Sequence, residues 1–121
     1  MEQAQPDAKS VLAKALLRAQ QAMSLENQQM AAILGVNRTT LSRMYQTQQI
    51  DPEQNPGRLA ALVLRIYRSV HTLMGGDTTN LQHWLRTPNR AFAEQAPLEL
   101  MRSVDGLVSV AQYCDAMRGR A

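Results

Sequence analysis

One cysteine, two histidines and two lysines stand in a chain of 121 residues. Cys114 alone can close no internal disulfide and build no cysteine metal cluster. On the last helix it fits a small packing residue better than a nucleophile, because neither neighbour, Tyr113 nor Asp115, would lower a thiol pKa. His71 and His83 lie twelve residues apart, outside any HExxH-like spacing, so no metal site is expected. Long apolar runs are missing too. The longest, Leu59 to Leu64, is six residues, whereas a membrane-spanning helix needs about 20. The opening segment, MEQAQPDAKS, has neither the basic start nor the apolar stretch of a signal peptide. Aromatics make up only 4%, which argues against a platform for stacking single-stranded bases. No glycine-rich phosphate loop occurs, since Gly75-Gly76 follows a helical pattern instead of opening one. Ser, Thr and Asp are plentiful but take no hydrolase-like spacing. These absences point to a cytoplasmic protein that is not an enzyme, carries no cofactor and does not engage a membrane.

What is present is helical. Apolar types account for 45% and charged types for 19%, a globular balance. No segment alternates apolar and polar residues long enough for a strand, whereas spacing of three and four recurs throughout. Val11, Leu12, Ala15, Leu16 and Ala19 form the stripe of a first helix, about Asp7 to Met23. Ser24 is expected to cap a second, Leu25 to about Leu34, that buries Met30, Ile33 and Leu34 and stops at Gly35. Asn37 caps a third, to about Gln46. The segment Thr47 to Gly57, with two prolines, reads as a linker. Leu59 to Met74 follows as the clearest amphipathic helix and the spine of a second half, stopped by Gly75-Gly76. Shorter helices are expected at about Thr79 to Leu85, Pro97 to Val104 and Asp105 to Arg118. The fold class is all-α, divided into residues 1–52 and 53–121. The seven methionines, mostly on apolar faces, are adaptable packing residues.

Within the first half, Asn27 to Gln46 reads NQQMAAILGVNRTTLSRMYQ. Ala31 is small where two helices must approach, and Gly35 sits four residues later in the tight turn. Val36, Leu41 and Met44 supply the face that docks the later helix on the earlier one. The same spacing would serve a plain helical hairpin with a glycine turn, but every groove-facing position is polar. The pattern resembles the DNA-binding helix-turn-helix of the Cro/Xre type over its full twenty residues. By position, the resemblance makes Asn37, Arg38, Thr39 and Ser42 the base readers, with Arg43 one turn on and Gln28 on a phosphate. Arg suits guanine, Asn adenine, and Thr a thymine methyl.

Charge complicates that picture. The formal net charge is +3, yet residues 1–57 hold five basic and five acidic side chains. A neutral monomer would bind DNA weakly, because phosphate neutralisation supplies most non-specific affinity. Operator binding therefore calls for a homodimer with two reading helices on paired half-sites. The surplus lies in residues 58–121, with eight arginines against five acids, a placement that suits an anion-binding partner at least as well as DNA.

The second half carries its own signature. Trp84-Leu85 precedes Thr87-Pro88-Asn89, then come Pro97-Leu98-Glu99-Leu100, and Gly106 leads an apolar helix through Val110. Pro88 fixes φ in a turn, Asn89 can bond its own backbone there, and Pro97 suits a first helical position. Trp84, with Leu81 and Leu85, reads as the anchor of a small core. This combination resembles the Xre/MbcA/ParS antitoxin family, in its C-terminal toxin-binding domain. Where that family often carries a glycine pair after the Asn turn, this chain has Ala93-Glu94-Gln95. The resemblance implies a type II antitoxin that binds a cognate RES-type toxin, an NAD-consuming or ADP-ribosylating partner, and represses its own operon. It also implies that C-terminal residues cover the toxin's active-site entrance. Here those are Arg118, Gly119 and Arg120, two cations flanking a flexible glycine, which otherwise form a solvated basic terminus. The alternative is a stand-alone helix-turn-helix regulator whose second half only dimerises or senses a ligand.

Overall fold

The computed structural model describes residues 7–120, with side chains through Gly119. Among them are seven α-helices and one 3-10 turn: α1 Ala8–Ala22, α2 Asn27–Leu34, α3 Arg38–Thr47, α4 Gly57–Leu73, α5 Thr78–Arg86, the turn Arg90–Phe92, α6 Pro97–Leu100 and α7 Val104–Arg120. The all-α expectation holds: a helix-turn-helix comes first, and a helical C-terminal half follows it.

Helix α1 begins where the Asp7 carboxylate accepts the Lys9 N–H at 3.1 Å. Its buried residues are Leu12, Ala13, Leu16, Ala19 and Gln20. Val11, expected in the buried stripe, is 50% exposed, because the buried arc is centred on the Leu12–Leu16–Ala19 line and Val11 falls at its edge. Ser24 does not cap α2 as expected. It ends α1 in the left-handed region at φ 57, with Leu25 N–H donating to Gln20 O (3.0 Å) and Ser24 N–H to Gln21 O (3.1 Å). That pair of bonds is a Schellman closure. The capping position of α2 belongs to Glu26, whose N–H donates to Gln29 Oε1 at 2.8 Å.

Gly35 ends α2 at φ 73, where Val36 N–H reaches Ala31 O (3.0 Å) and Gly35 N–H reaches Ala32 O (3.3 Å). A left-handed residue without a Cβ lets the chain reverse within three residues, so α3 starts at once. Met30, Ala31, Ile33, Leu34 and Leu41 are buried between them, as the periodicity requires.

Helix α4 is the spine not only of the second half but of the whole molecule. It packs against α1, α2, α5 and α7 and buries Ala60, Val63, Leu64, Ile66 and Val70. One hydrophobic cluster consequently runs from Leu12 in α1 to Cys114 in α7. The helix expected at Pro97 to Val104 is a single turn, α6. Ser103 Oγ then accepts the Gly106 N–H at 3.1 Å and caps a new helix, so Val104 enters the first turn of α7, where it is 56% exposed. Gly106 is required for that join, since a Cβ there would lie 1.9 Å from Leu100 O. No helix among the described residues is long and apolar enough to cross a membrane.

Candidate nucleic-acid interface and partner-binding helix

The N-terminal turn of α3 is set by Asn37, whose Oδ1 accepts the Thr40 N–H at 2.7 Å. Beyond that cap Arg38, Thr39 and Arg43 are exposed and Ser42 is half-buried. Gln28, Asn37 and Arg38 border one shallow hollow with Ala31, Ala32 and Val36, so residues nine and ten apart in sequence meet where α2 and α3 converge. Asn37 is constrained by its own cap. A two-bond contact with adenine uses both the amide oxygen and the amide nitrogen, so it would share an oxygen whose first lone pair already serves the cap. The cap fixes the orientation of the amide and leaves the second lone pair and the amide nitrogen to outside partners.

A polar network missed by the sequence reading holds α3 in place. Gln20, 5% exposed on α1, donates from Nε2 to Leu25 O (3.1 Å) and to Asn27 Oδ1 (2.7 Å). Its Oε1 accepts the Tyr45 hydroxyl at 2.6 Å. One amide thus ties α1 to the start of α2 and to the last turn of α3. Burial pushes the Tyr45 phenol above its ordinary range, so at neutral pH it is a protonated donor. A glutamine in an otherwise apolar stripe was the one available signal, and periodicity alone does not say which partner such a residue meets.

The other candidate surface is the end of α7. Arg65 on α4 forms a two-bond ion pair with Asp115 on α7, and that pair holds the Asp115 carboxyl below the usual carboxylate range. Arg118 lies one turn on, exposed, 3.9 Å from the same carboxylate. Gly119 is also exposed, and it lies within α7 instead of forming a flexible break between two arginines. The Arg120 side chain lies outside the described residues.

The motif residues build the frame behind that helix. Leu85 and Pro97 are buried, Gly106 is buried at the join described above, Trp84, Asn89 and Leu98 are half-buried, and Pro88 is exposed. Asn89 bonds its own backbone as expected, its Oδ1 accepting the Ala91 N–H at 2.9 Å. Its carbonyl accepts Phe92 N–H and Glu94 N–H, both at 3.0 Å. Ala93 and Glu94 are both left-handed, at φ 54 and 67. The chain keeps a path suited to glycine with two residues that have a Cβ. Trp84 does not anchor the frame alone. Phe92 meets Tyr113 at 4.9 Å between ring centroids, and Trp84 lies 6.4 Å from Phe92 and 6.5 Å from Tyr113. Spacing along the chain does not link Phe92 and Tyr113, which sit 21 residues apart with no shared periodicity.

Cys114 is buried, and burial together with Asp115 pushes its thiol up to about 12. At neutral pH it is protonated and a poor nucleophile. Among the described residues no cluster of His, Cys, Asp and Glu could hold a metal ion.

Comparison with known proteins fits this anatomy. Residues 69–120 match the family model of the antitoxin Xre/MbcA/ParS C-terminal toxin-binding domain. Residues 2–55 match that of the antitoxin Xre-like helix-turn-helix domain. None of the curated proteins matches the sequence. Among solved structures, the chain is similar to one in the crystal structure of the M. tuberculosis MbcT-MbcA toxin-antitoxin complex, with a TM-score of 0.69 and 18% identity over 92% of this chain and 96% of that one. At that identity the likeness is one of fold. The two domain matches, adjoining and in this order, make the chain a member of the Xre/MbcA/ParS antitoxins, with a helix-turn-helix domain followed by a toxin-binding domain.

Proposed function

We propose that this antitoxin neutralises a cognate RES-type toxin, one that consumes NAD or transfers ADP-ribose from it, by covering the toxin's active site with the end of α7. The observation that carries the reading is the contrast along that helix. Asp115 is tied to α4 by Arg65, while Arg118 and Gly119 one turn later are exposed. A helix braced in this way can push its tip into a partner without losing its own footing. Arg118, Gly119 and Arg120 would enter a pocket shaped for the phosphates of a dinucleotide, which favour arginine.

The same chain represses its own operon. Residues 1–52 carry the reading helix, and residues 53–121 bind toxin and dimerise. Asn37, Arg38, Thr39, Ser42 and Arg43 face base edges, Asn37 in an orientation fixed by its cap, and Gln28 meets a phosphate. Dimerisation is part of the reading because the first half has no charge surplus.

Co-expression tests the partner directly. The product of the adjacent gene should arrest growth alone, be harmless with this chain, and co-purify with it. A neighbour that is harmless alone, or that does not co-purify, leaves a stand-alone regulator as the better reading.

A further inference from the structure

Two side chains of α5 cross to the N-terminal half and hold the turn that launches α2. Gln82 Nε2 donates to the Ala22 carbonyl at 2.9 Å, and Arg86 Nη2 donates to the Ser24 carbonyl at 2.8 Å. The second amino group of Arg86 donates to the Gln82 carbonyl at 3.2 Å, which braces the guanidinium from its own helix. Ala22 is the last residue of α1, and Ser24 follows two residues beyond it in the closing turn. Carbonyls there lack intrahelical partners, and the helix dipole favours a cation. Helix α1 has no basic residue in its own last turn, so Arg86 supplies that cation from 62 residues away. Ser24 is a left-handed residue with a Cβ, a conformation that persists only where surrounding contacts hold it. From Ser24, two residues lead to Asn27 at the start of α2, and α2 packs directly on α3.

We infer that Arg86 and Gln82 are positioning residues for operator recognition. They fix the attitude of the α2–α3 pair against the C-terminal half, and so set the separation of the two reading helices in a dimer joined through that half. The inference rests on the operator-binding and dimer reading above. It differs from assigning Arg86 to a DNA phosphate. The groove of about 400 Å³ beside Arg86 is lined by Arg102 but also by Glu26 and Glu99, so its charges cancel and it offers no positive field.

The test compares the full-length chain with Arg86→Ala, Arg86→Lys and Gln82→Ala on two duplexes from its own promoter. One spans the whole footprint and the other is trimmed to a single half-site. Arg86→Ala should weaken the whole-footprint duplex about ten-fold, the effect of losing one charge-assisted hydrogen bond. Binding to the single half-site and toxin neutralisation should hold. Arg86→Lys, which keeps one donor, should recover part of the loss, and Gln82→Ala should fall in between. Equal losses on both duplexes, or none on either, would overturn the inference. A wild-type chain that gains nothing from the second half-site would instead remove the dimer reading. Hydrogen exchange in the free protein decides the contact itself: the Ser24 and Leu25 amides should exchange faster in Arg86→Ala, and unchanged exchange there would also overturn it.

Discussion

The two halves share one hydrophobic core and add different chemistry to it. In the N-terminal half the addition is hydrogen bonds: a buried glutamine joins α1, α2 and α3, and an asparagine caps α3. The C-terminal half is framed by close contact, with three rings in one cluster and a backbone approach at Gly106 that admits no side chain. Their charges differ as well, neutral in the first and surplus arginine in the second. The contrast suggests what each surface tolerates. A reading helix must keep a fixed orientation while its outer face stays polar, and directional bonds behind it achieve that. A helix tip that pushes on a protein partner needs stiffness along its length, which dense packing supplies.

The largest effect should come from breaking the close approach. Gly106→Ala would place a Cβ 1.9 Å from Leu100 O and destabilise the fold by about 3 kcal/mol, seen as a lower denaturant midpoint. On the reading half, Arg38→Ala should weaken operator binding by about 2 kcal/mol if it reads a base, while affinity for random duplex changes little. Equal loss on both duplexes would make Arg38 a phosphate contact instead. Tyr45→Phe removes only a hydroxyl, but it strands Gln20 Oε1 and should cost about 1 to 2 kcal/mol, measurable by urea unfolding. Ala93→Gly should go the other way, raising stability by up to about 1 kcal/mol as the left-handed strain is relieved. The smallest effect concerns pH. The Asp115 carboxyl is depressed by Arg65, so the ion pair contributes above the ordinary aspartate range and is lost as pH falls through the depressed value. Asp115→Asn should flatten that acid-side dependence and leave the alkaline side unchanged.

Much of this architecture was legible because it is local. Gly35, Asn37 and Gly75 punctuate helices by rules that act over four residues, and the α4 stripe repeats often enough to stand alone. What escaped the sequence is of two kinds. Left-handed backbone at Ser24, Gln48, Ala93 and Glu94 is invisible when the residue is not glycine, which is why Ser24 read as the start of a helix instead of the end of one. Contacts between distant residues leave no periodic trace either. Arg86 with Ser24, Gln20 with Tyr45, and Phe92 with Tyr113 are each set by how helices pack, not by spacing along the chain. The candidate readers on α3 could be named from a twenty-residue pattern, but the cap that occupies Asn37 could be weighed only once its oxygen had a partner.

The central claim is that one chain carries two separable surfaces, and one paired experiment tests it directly. In cells carrying the neighbouring toxin gene and a reporter under the native promoter, growth and reporter output are measured together. The variants are a deletion of 118–121 and the double substitution Arg38→Ala with Arg43→Ala. The deletion should lose growth protection and keep repression, and the double substitution should do the reverse. If both variants lose both properties, or if the truncated chain still protects fully, the two-surface account is contradicted.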